Sequence, residues 1–220
     1  LDGATGELIW SHSLREGARA AASPRALSGR GLSFWTDGKE KRILYVTPGY
    51  RLVALDAATG ARIMDFGKDG VVDLKEDFDQ ELKGGLETGE VGLHAAPAVS
   101  GNTIIIGAAF REGYTAADHA NTKGYVRGFD VRTGKRMWTF HTIPQKGEFG
   151  YDTWLKDSAE INGNTGVWTQ VSIDTELNLA YLAVETPTSD FFGGHRPGNN
   201  LFANSLVAVD LLTGERKWHY

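Results

Sequence analysis

The sequence predicts an all-β chain, an incomplete β-propeller of about three four-stranded antiparallel blades plus part of a fourth. Three observations predict it: one phrase recurs four times, each copy reads as a hairpin, and the copies are unequally spaced. The copies are Leu1-Asp2-Gly3-Ala4-Thr5-Gly6 with Trp10, Leu55-Asp56-Ala57-Ala58-Thr59-Gly60 with Met64, Phe129-Asp130-Val131-Arg132-Thr133-Gly134 with Trp138, and Val209-Asp210-Leu211-Leu212-Thr213-Gly214 with Trp218. In each, the large side chain stands eight residues after the Asp. Such a repeat means that one supersecondary unit recurs and that neighbouring copies bury one another.

Each phrase has a local physical reading. Asp can bond its own backbone across a turn, and Gly supplies the positive φ that reverses the chain, so Asp-x-x-Thr-Gly joins two antiparallel strands. The Trp then falls in the second strand, where it can pack between one sheet and the next. The uneven spacing argues against a strict solenoid and for blades with loop insertions.

The elements follow in order. Residues 1–20 close one blade. The first full unit, 21–67, takes strands at 32–35, 42–48, 51–56 and 62–66, and a charged segment at 72–86 follows as a short helix or ordered loop. The second unit, 91–141, takes strands at 93–99, 103–109, 125–130 and 136–141, with a polar excursion at 111–123. An irregular stretch at 142–164 leads to the third unit, 165–220, with strands at 167–173, 179–184, 205–210 and 216–220 and a Gly-, Pro- and Asn-rich insertion at 186–204. Long loops at blade junctions are where such a fold builds a binding site.

Composition narrows the function classes. With 220 residues, 41% hydrophobic and 23% charged, usage is that of an ordinary globular chain. A formal charge of −5 gives no support to nucleic-acid binding, which shows a basic patch or stripe. The longest apolar run, 104–110, falls far short of the roughly 20 residues of a membrane span. Without cysteine there is neither a disulfide nor a thiolate metal site. Leu1 opens inside a repeat phrase and Tyr220 closes inside a strand, so the sequence is expected to be a piece of a longer protein, with any membrane attachment in parts absent from it.

Four further stretches carry a family resemblance. Arg30-Gly31-Leu32-Ser33-Phe34-Trp35 resembles the Arg-Gly-aliphatic-x-aromatic-aromatic stretch of the dehydrogenases that depend on pyrroloquinoline quinone (PQQ). Gly107 to Glu112, then Gly124-Tyr125-Val126-Arg127-Gly128-Phe129-Asp130, is similar to their metal-ligand strand and the Arg-Gly-aromatic strand after it. Trp168 through Asp174 and Asn178 to Thr188 resembles their signature, with Ile173 in place of an aromatic, Glu185 in place of Gly and Ser189 in place of Pro. Pro187 to Arg196 is similar to the glucose and polyol branch.

The resemblance implies a site. PQQ is a flat ortho-quinone with three carboxylates, so it calls for an aromatic platform, cationic or amide partners and a divalent cation. Trp168 would be the platform, though its strand alone also suits a core Trp. Arg30 would bind a carboxylate, a task for which a guanidinium fork is suited; the residue alone also reads as a surface Arg paired with an acid. His94, where relatives place a Thr, would be a second cofactor contact, or a structural His. Glu112 would ligate Ca²⁺ or Mg²⁺, which take oxygen ligands, or be an exposed loop carboxylate. Thr186 is the candidate second metal ligand. The vicinal disulfide of the alcohol-dehydrogenase branch is impossible here, where Pro24, Arg25 and Ala26 fall in that region. No general base is in view, since the family's Asp is expected beyond Tyr220.

The resemblance thus implies a periplasmic enzyme that oxidises a sugar or polyol hydroxyl, transfers hydride to PQQ and passes electrons to a membrane quinone. Two rivals are a non-catalytic propeller scaffold, which has no need of Arg30, Glu112 or Trp168, and a PQQ-dependent alcohol dehydrogenase with attached haem, marked by a Cys-x-x-Cys-His segment.

Overall fold

A computed structural model of the chain describes residues 1–24, 31–82, 84–88, 91–110 and 121–220. Arg30, Glu112, Arg25, Ala26 and most of the predicted polar excursion lie outside the described residues.

The strands are β1 Leu32–Thr36, β2 Lys41–Val46, β3 Arg51–Asp56, β4 Val71–Asp73, β5 Val91–Gly92, β6 Ala98–Ser100, β7 Thr103–Ile106, β8 Ala109–Phe110, β9 Val126–Asp130, β10 Arg136–Phe140, β11 Ser172–Asp174, β12 Leu179–Ala183, β13 Leu206–Asp210 and β14 Arg216–His219. Short helices are α1 Ala18–Ala21, α2 Gly85–Thr88 and α3 Ser158–Ile161. Among the described residues the strands form three four-stranded antiparallel sheets, β1-β2-β3-β4, β6-β7-β9-β10 and β11-β12-β13-β14, and one ribbon, β5-β8. The first strands meet at one side, where β6 touches both β1 and β11. The sheets therefore form an open propeller arc with first strands inward and fourth strands at the rim.

Burial follows from this stacking. Side chains alternate across a strand, and β7, buried along its whole length, splits accordingly. Ile104 and Ile106 join Leu44, Leu52 and Ala54 of the first sheet, whereas Ile105 joins Leu182, Val207 and Val209 of the third. The middle sheet is covered on both faces, so its central strand β7 reads as an apolar run rather than as alternation.

Two expectations need correction. Residues 62–66 are not the fourth strand of the first sheet. Arg62 makes a single bridge to Leu55, after which the chain leaves the sheet in a turn with positive φ at Gly67 and Gly70, and Val71–Asp73 resumes the pairing with Arg51–Val53. The segment expected to follow as helix or loop thus opens with the missing strand. The third sheet likewise begins at Ser172, because 163–168 runs between sheets and pairs elsewhere.

The repeated turns are built as their residues dictate. Asp56 Oδ1 accepts the N–H of Ala58 at 3.1 Å and of Thr59 at 2.8 Å, and the Thr59 hydroxyl at 2.7 Å. The same bonds recur at Asp2, Asp130 and Asp210. The closing glycines all have positive φ near 70°, which only Gly adopts without strain.

That turn is also the seat of the preceding unit's indole. Trp10 lies on Gly60, whose Cβ would come within 2.5 Å of the ring, and its Nε1 donates to the Ala57 carbonyl at 3.1 Å. Trp138 lies on Gly214 in the same way and donates to Leu211 at 3.0 Å. At the copy with Met64 the seat is filled differently. Phe66 and Val72 pack on Gly134, Gly67 N–H donates to Thr133 at 2.8 Å, and Arg42 donates to the Val131 carbonyl at 3.0 Å, the bond an indole would make. Met64 itself is exposed.

The segment before β1 is clamped across the β2–β3 turn. Glu16 accepts the Thr47 hydroxyl and the Gly49 N–H, each at 2.8 Å, and pairs with Arg51 at 2.8 Å. Arg19, fully buried, donates to the Gly49 carbonyl at 2.8 Å and grips Asp73 with both terminal nitrogens, at 2.7 and 2.5 Å.

Candidate functional site

The inner edge between the second and third sheets is tied by the stretch 163–168. Asn164 donates its N–H to the Thr122 carbonyl at 2.9 Å and accepts from Gly124 at 2.7 Å. On the other side Thr165 donates to Thr186 at 3.3 Å, Glu185 to Gly166 at 3.0 Å and Thr188 to Gly163 at 3.1 Å. Asn164 and Thr165 are both fully buried with φ of 58° and 56°. For a β-branched residue this is a real outlier, costing about 1–3 kcal/mol and held only where the surroundings over-determine it.

The glycines here are contact surfaces. A methyl group on Gly107 would strike the Val167 carbonyl oxygen, one on Gly166 the Ala108 carbonyl, and one on Gly124 the Gly166 backbone. The backbones of 107–108 and 166–167 therefore lie against each other without intervening side chains, which fixes where the next residue, Trp168, leaves the stretch.

Trp168 presents its indole at 48% exposure, an unusual state for so large an aromatic held on a buried stretch. His94 stands beside it, with ring centroids 6.0 Å apart and planes at 54°. His94 follows the β5–β8 ribbon, in which Val91 pairs with Phe110 and Gly92 with Ala109. The strand that leaves Gly107 thus also steers the His94 segment.

Of the residues picked from sequence, the structure brings His94 and Trp168 together. The Thr186 backbone lies in the same strip, through its bond from Thr165. Arg30 and Glu112 lie outside the described residues; the nearest described residues in sequence are Gly31, where a Cβ would stand 2.6 Å from Ala96, and buried Phe110. Sequence reasoning noted Glu185 only as a departure from a signature, yet its Oε1 lies 2.9 Å from where a Gly166 Cβ would stand. It missed Tyr50, whose hydroxyl donates to the Gly107 carbonyl at 2.6 Å. Its signal was faint: a tyrosine directly after Pro48-Gly49, where a turn is expected.

Electrostatically the strip is mostly neutral amide and hydroxyl. Lys123, whose N–H donates to the Gln80 side chain at 2.7 Å, is held below its usual range by burial, against the pull of Glu160. The arrangement offers a half-exposed aromatic face with an imidazole beside it, on glycine-packed backbone that also carries the Glu185 carboxylate against Gly166. It suits a planar aromatic ligand with polar edges.

Comparison with known proteins bears on this directly. Residues 1–220 match the family model described as the β-propeller domain of glucose, ethanol and alcohol dehydrogenases, a PQQ family. A quinate/shikimate dehydrogenase (quinone) of Acinetobacter baylyi is 32% identical over 183 residues, 82% of this chain and 21% of that protein. Quinoprotein glucose dehydrogenase A of Acinetobacter calcoaceticus is 29% identical over 178 residues, 77% of this chain and 20% of the relative. The solved quinohemoprotein alcohol dehydrogenase ADHIIG of Pseudomonas putida HK5 superposes with a TM-score of 0.75 at 29% identity, covering 98% of this chain and 30% of that one. The chain thus spans about a fifth to three tenths of the length of these relatives.

Proposed function

Since the chain belongs to the β-propeller family of PQQ-dependent glucose, ethanol and alcohol dehydrogenases, we propose that it supplies three consecutive sheets to a longer periplasmic quinoprotein that oxidises a sugar or polyol hydroxyl and delivers the electrons to a membrane quinone. The observation that carries the reading is the pairing of a half-exposed Trp168 with His94 on a rigid glycine-packed strip.

Among the described residues, the half-exposed Trp168 indole with His94 beside it supports a flat quinone cofactor here. When bound, PQQ supplies the electron-accepting ortho-quinone. In the proposal Trp168 offers the face on which the rings stack, and His94 offers a hydrogen bond at their edge. Arg30 binds a carboxylate, and Glu112, with Thr186, holds Ca²⁺ or Mg²⁺ through oxygen. The general base comes from residues other than these. A sugar or polyol is preferred over a simple alcohol because residues 187–196 are similar to the glucose and polyol branch.

The test is dye-linked oxidation by the full-length enzyme, with PQQ and Ca²⁺ or Mg²⁺ added back, on glucose, a polyol, ethanol and quinate. Trp168→Ala is expected to raise the PQQ needed for half-maximal activity about tenfold, the value of a lost stacked ring near 1.4 kcal/mol. Glu112→Gln in the same assay should raise the metal requirement. An unchanged PQQ requirement in Trp168→Ala removes the indole from the site, and turnover of ethanol far above glucose and polyols removes the sugar reading.

A further inference from the structure

Tyr50 joins the site from a distance, and its backbone is its most informative property. It is fully buried with φ at 62°, a conformation that a bulky side chain adopts only under constraint. The constraint is visible. The preceding Gly49 is held through its N–H by Glu16 and through its carbonyl by Arg19, and the Tyr50 N–H donates to Thr47 at 2.9 Å. The turn is thus fastened from outside while its ring points inward at the Gly107 carbonyl, 2.6 Å away.

Gly107 is where two parts of the site diverge. Beyond it β8 pairs with β5 and leads to His94, and against it lies the Val167 carbonyl, one residue before Trp168. Arg127, directly across the sheet from Ile106, backs the contact. Its Nη2 donates to the Leu74 carbonyl at 2.8 Å and to the Tyr50 hydroxyl at 3.3 Å, and its guanidinium lies 4.3 Å from the centre of the Phe78 ring. Burial raises the Tyr50 pKa against the opposing pull of Arg127, so the hydroxyl stays a donor.

We propose that Tyr50, backed by Arg127, is a positioning residue: by pinning the Gly107 carbonyl it sets the spacing between His94 and Trp168. Neither side chain is assigned a contact with the cofactor. The proposal rests on the PQQ reading above and deepens it, since a misplaced His94–Trp168 pair would hold a planar cofactor less well.

The test uses the full-length apoprotein, titrated with PQQ in the presence of Ca²⁺ or Mg²⁺ and followed by quenching of tryptophan fluorescence. Tyr50→Phe removes only the hydroxyl and is expected to weaken PQQ binding about three- to tenfold, the worth of one buried hydrogen bond. Trp138→Phe, which loses an indole bond at the rim, is expected to lower the melting temperature and leave PQQ affinity unchanged. Wild-type affinity in Tyr50→Phe overturns the positioning role alone, as does weakening in both variants in step with their loss of stability. Failure of the wild-type protein to bind PQQ overturns the family-based reading and this proposal with it. Should Tyr50→Phe not fold, Arg127→Lys, which keeps the charge but not the guanidinium's reach to both acceptors, carries the same comparison.

Discussion

Trp138→Ala is expected to cost about 3–5 kcal/mol, the range for truncating a buried aromatic. The indole is 7% exposed, lies on Gly214 of the third sheet and donates to the Leu211 carbonyl at 3.0 Å. Alanine would leave both a cavity between two sheets and a buried acceptor without its donor, and the two penalties add. The equivalent Met64→Ala should stay within about 0.5 kcal/mol, because Met64 is exposed and its seat is taken by Phe66, Val72 and Arg42. Urea unfolding of the two variants side by side decides the matter. Equal losses would mean that the repeat position itself, rather than the seat it reaches, sets the energy.

Asp73→Asn is the second large effect, at about 2–3 kcal/mol, below the range for a wholly buried pair because Asp73 keeps some solvent contact and Glu87 stands 3.7 Å from Arg19. The variant leaves a guanidinium that is 1% exposed facing a neutral amide. Its pH dependence has a definite sign. Burial raises the Asp73 pKa, but the hydrogen bonds from Arg19 and the Lys75 N–H, together with the charges of Arg19 and Arg51, outweigh it and hold the carboxyl below its ordinary 3.8. A group depressed in the folded state stabilises above its unfolded pKa and ceases to as pH falls through the folded one. The gap between wild type and variant should therefore be flat from neutral pH to about pH 5 and close below pH 4. A gap that persists unchanged to pH 2 would show that packing, not the ion pair, is responsible.

Much of the architecture was legible because it is written locally. Asp, Thr and Gly at fixed offsets specify each turn by bonds within five residues, and the Trp eight residues on reaches the next sheet at Trp10 and Trp138. Trp218 is half exposed and lies beside Tyr181 of its own sheet. The Val71–Asp73 strand was not legible, since the excursion through Gly67 and Gly70 delays the pairing and the strand itself is three residues long. Arg42 replacing an indole could not be foreseen either: its acceptor lies 89 residues away, and nothing near Arg42 marks it. In the site, Trp168 and His94 were named one at a time through family resemblance, while their contact, and the Tyr50 bond behind it, depend on how three chain segments meet.

The same contrast carries over to the order in which the molecule assembles. The Asp-Thr-Gly turn bonds close loops of a few residues, whereas the Tyr50–Gly107 bond of the inner strip spans 57 residues. Loop-closure entropy must be met before distant contacts contribute, so short hairpins form early and the inner strip late. Pulsed amide labelling during refolding should protect the N–H groups of Gly60, Gly134 and Gly214 before those of Asn164 and Glu185. The reverse order would mean that the inner strip nucleates the arc. If the rim does lead, the segments that carry the candidate site are the last to be fixed in place, and a cofactor present during refolding would meet a frame already built at its edge and still open at its axis.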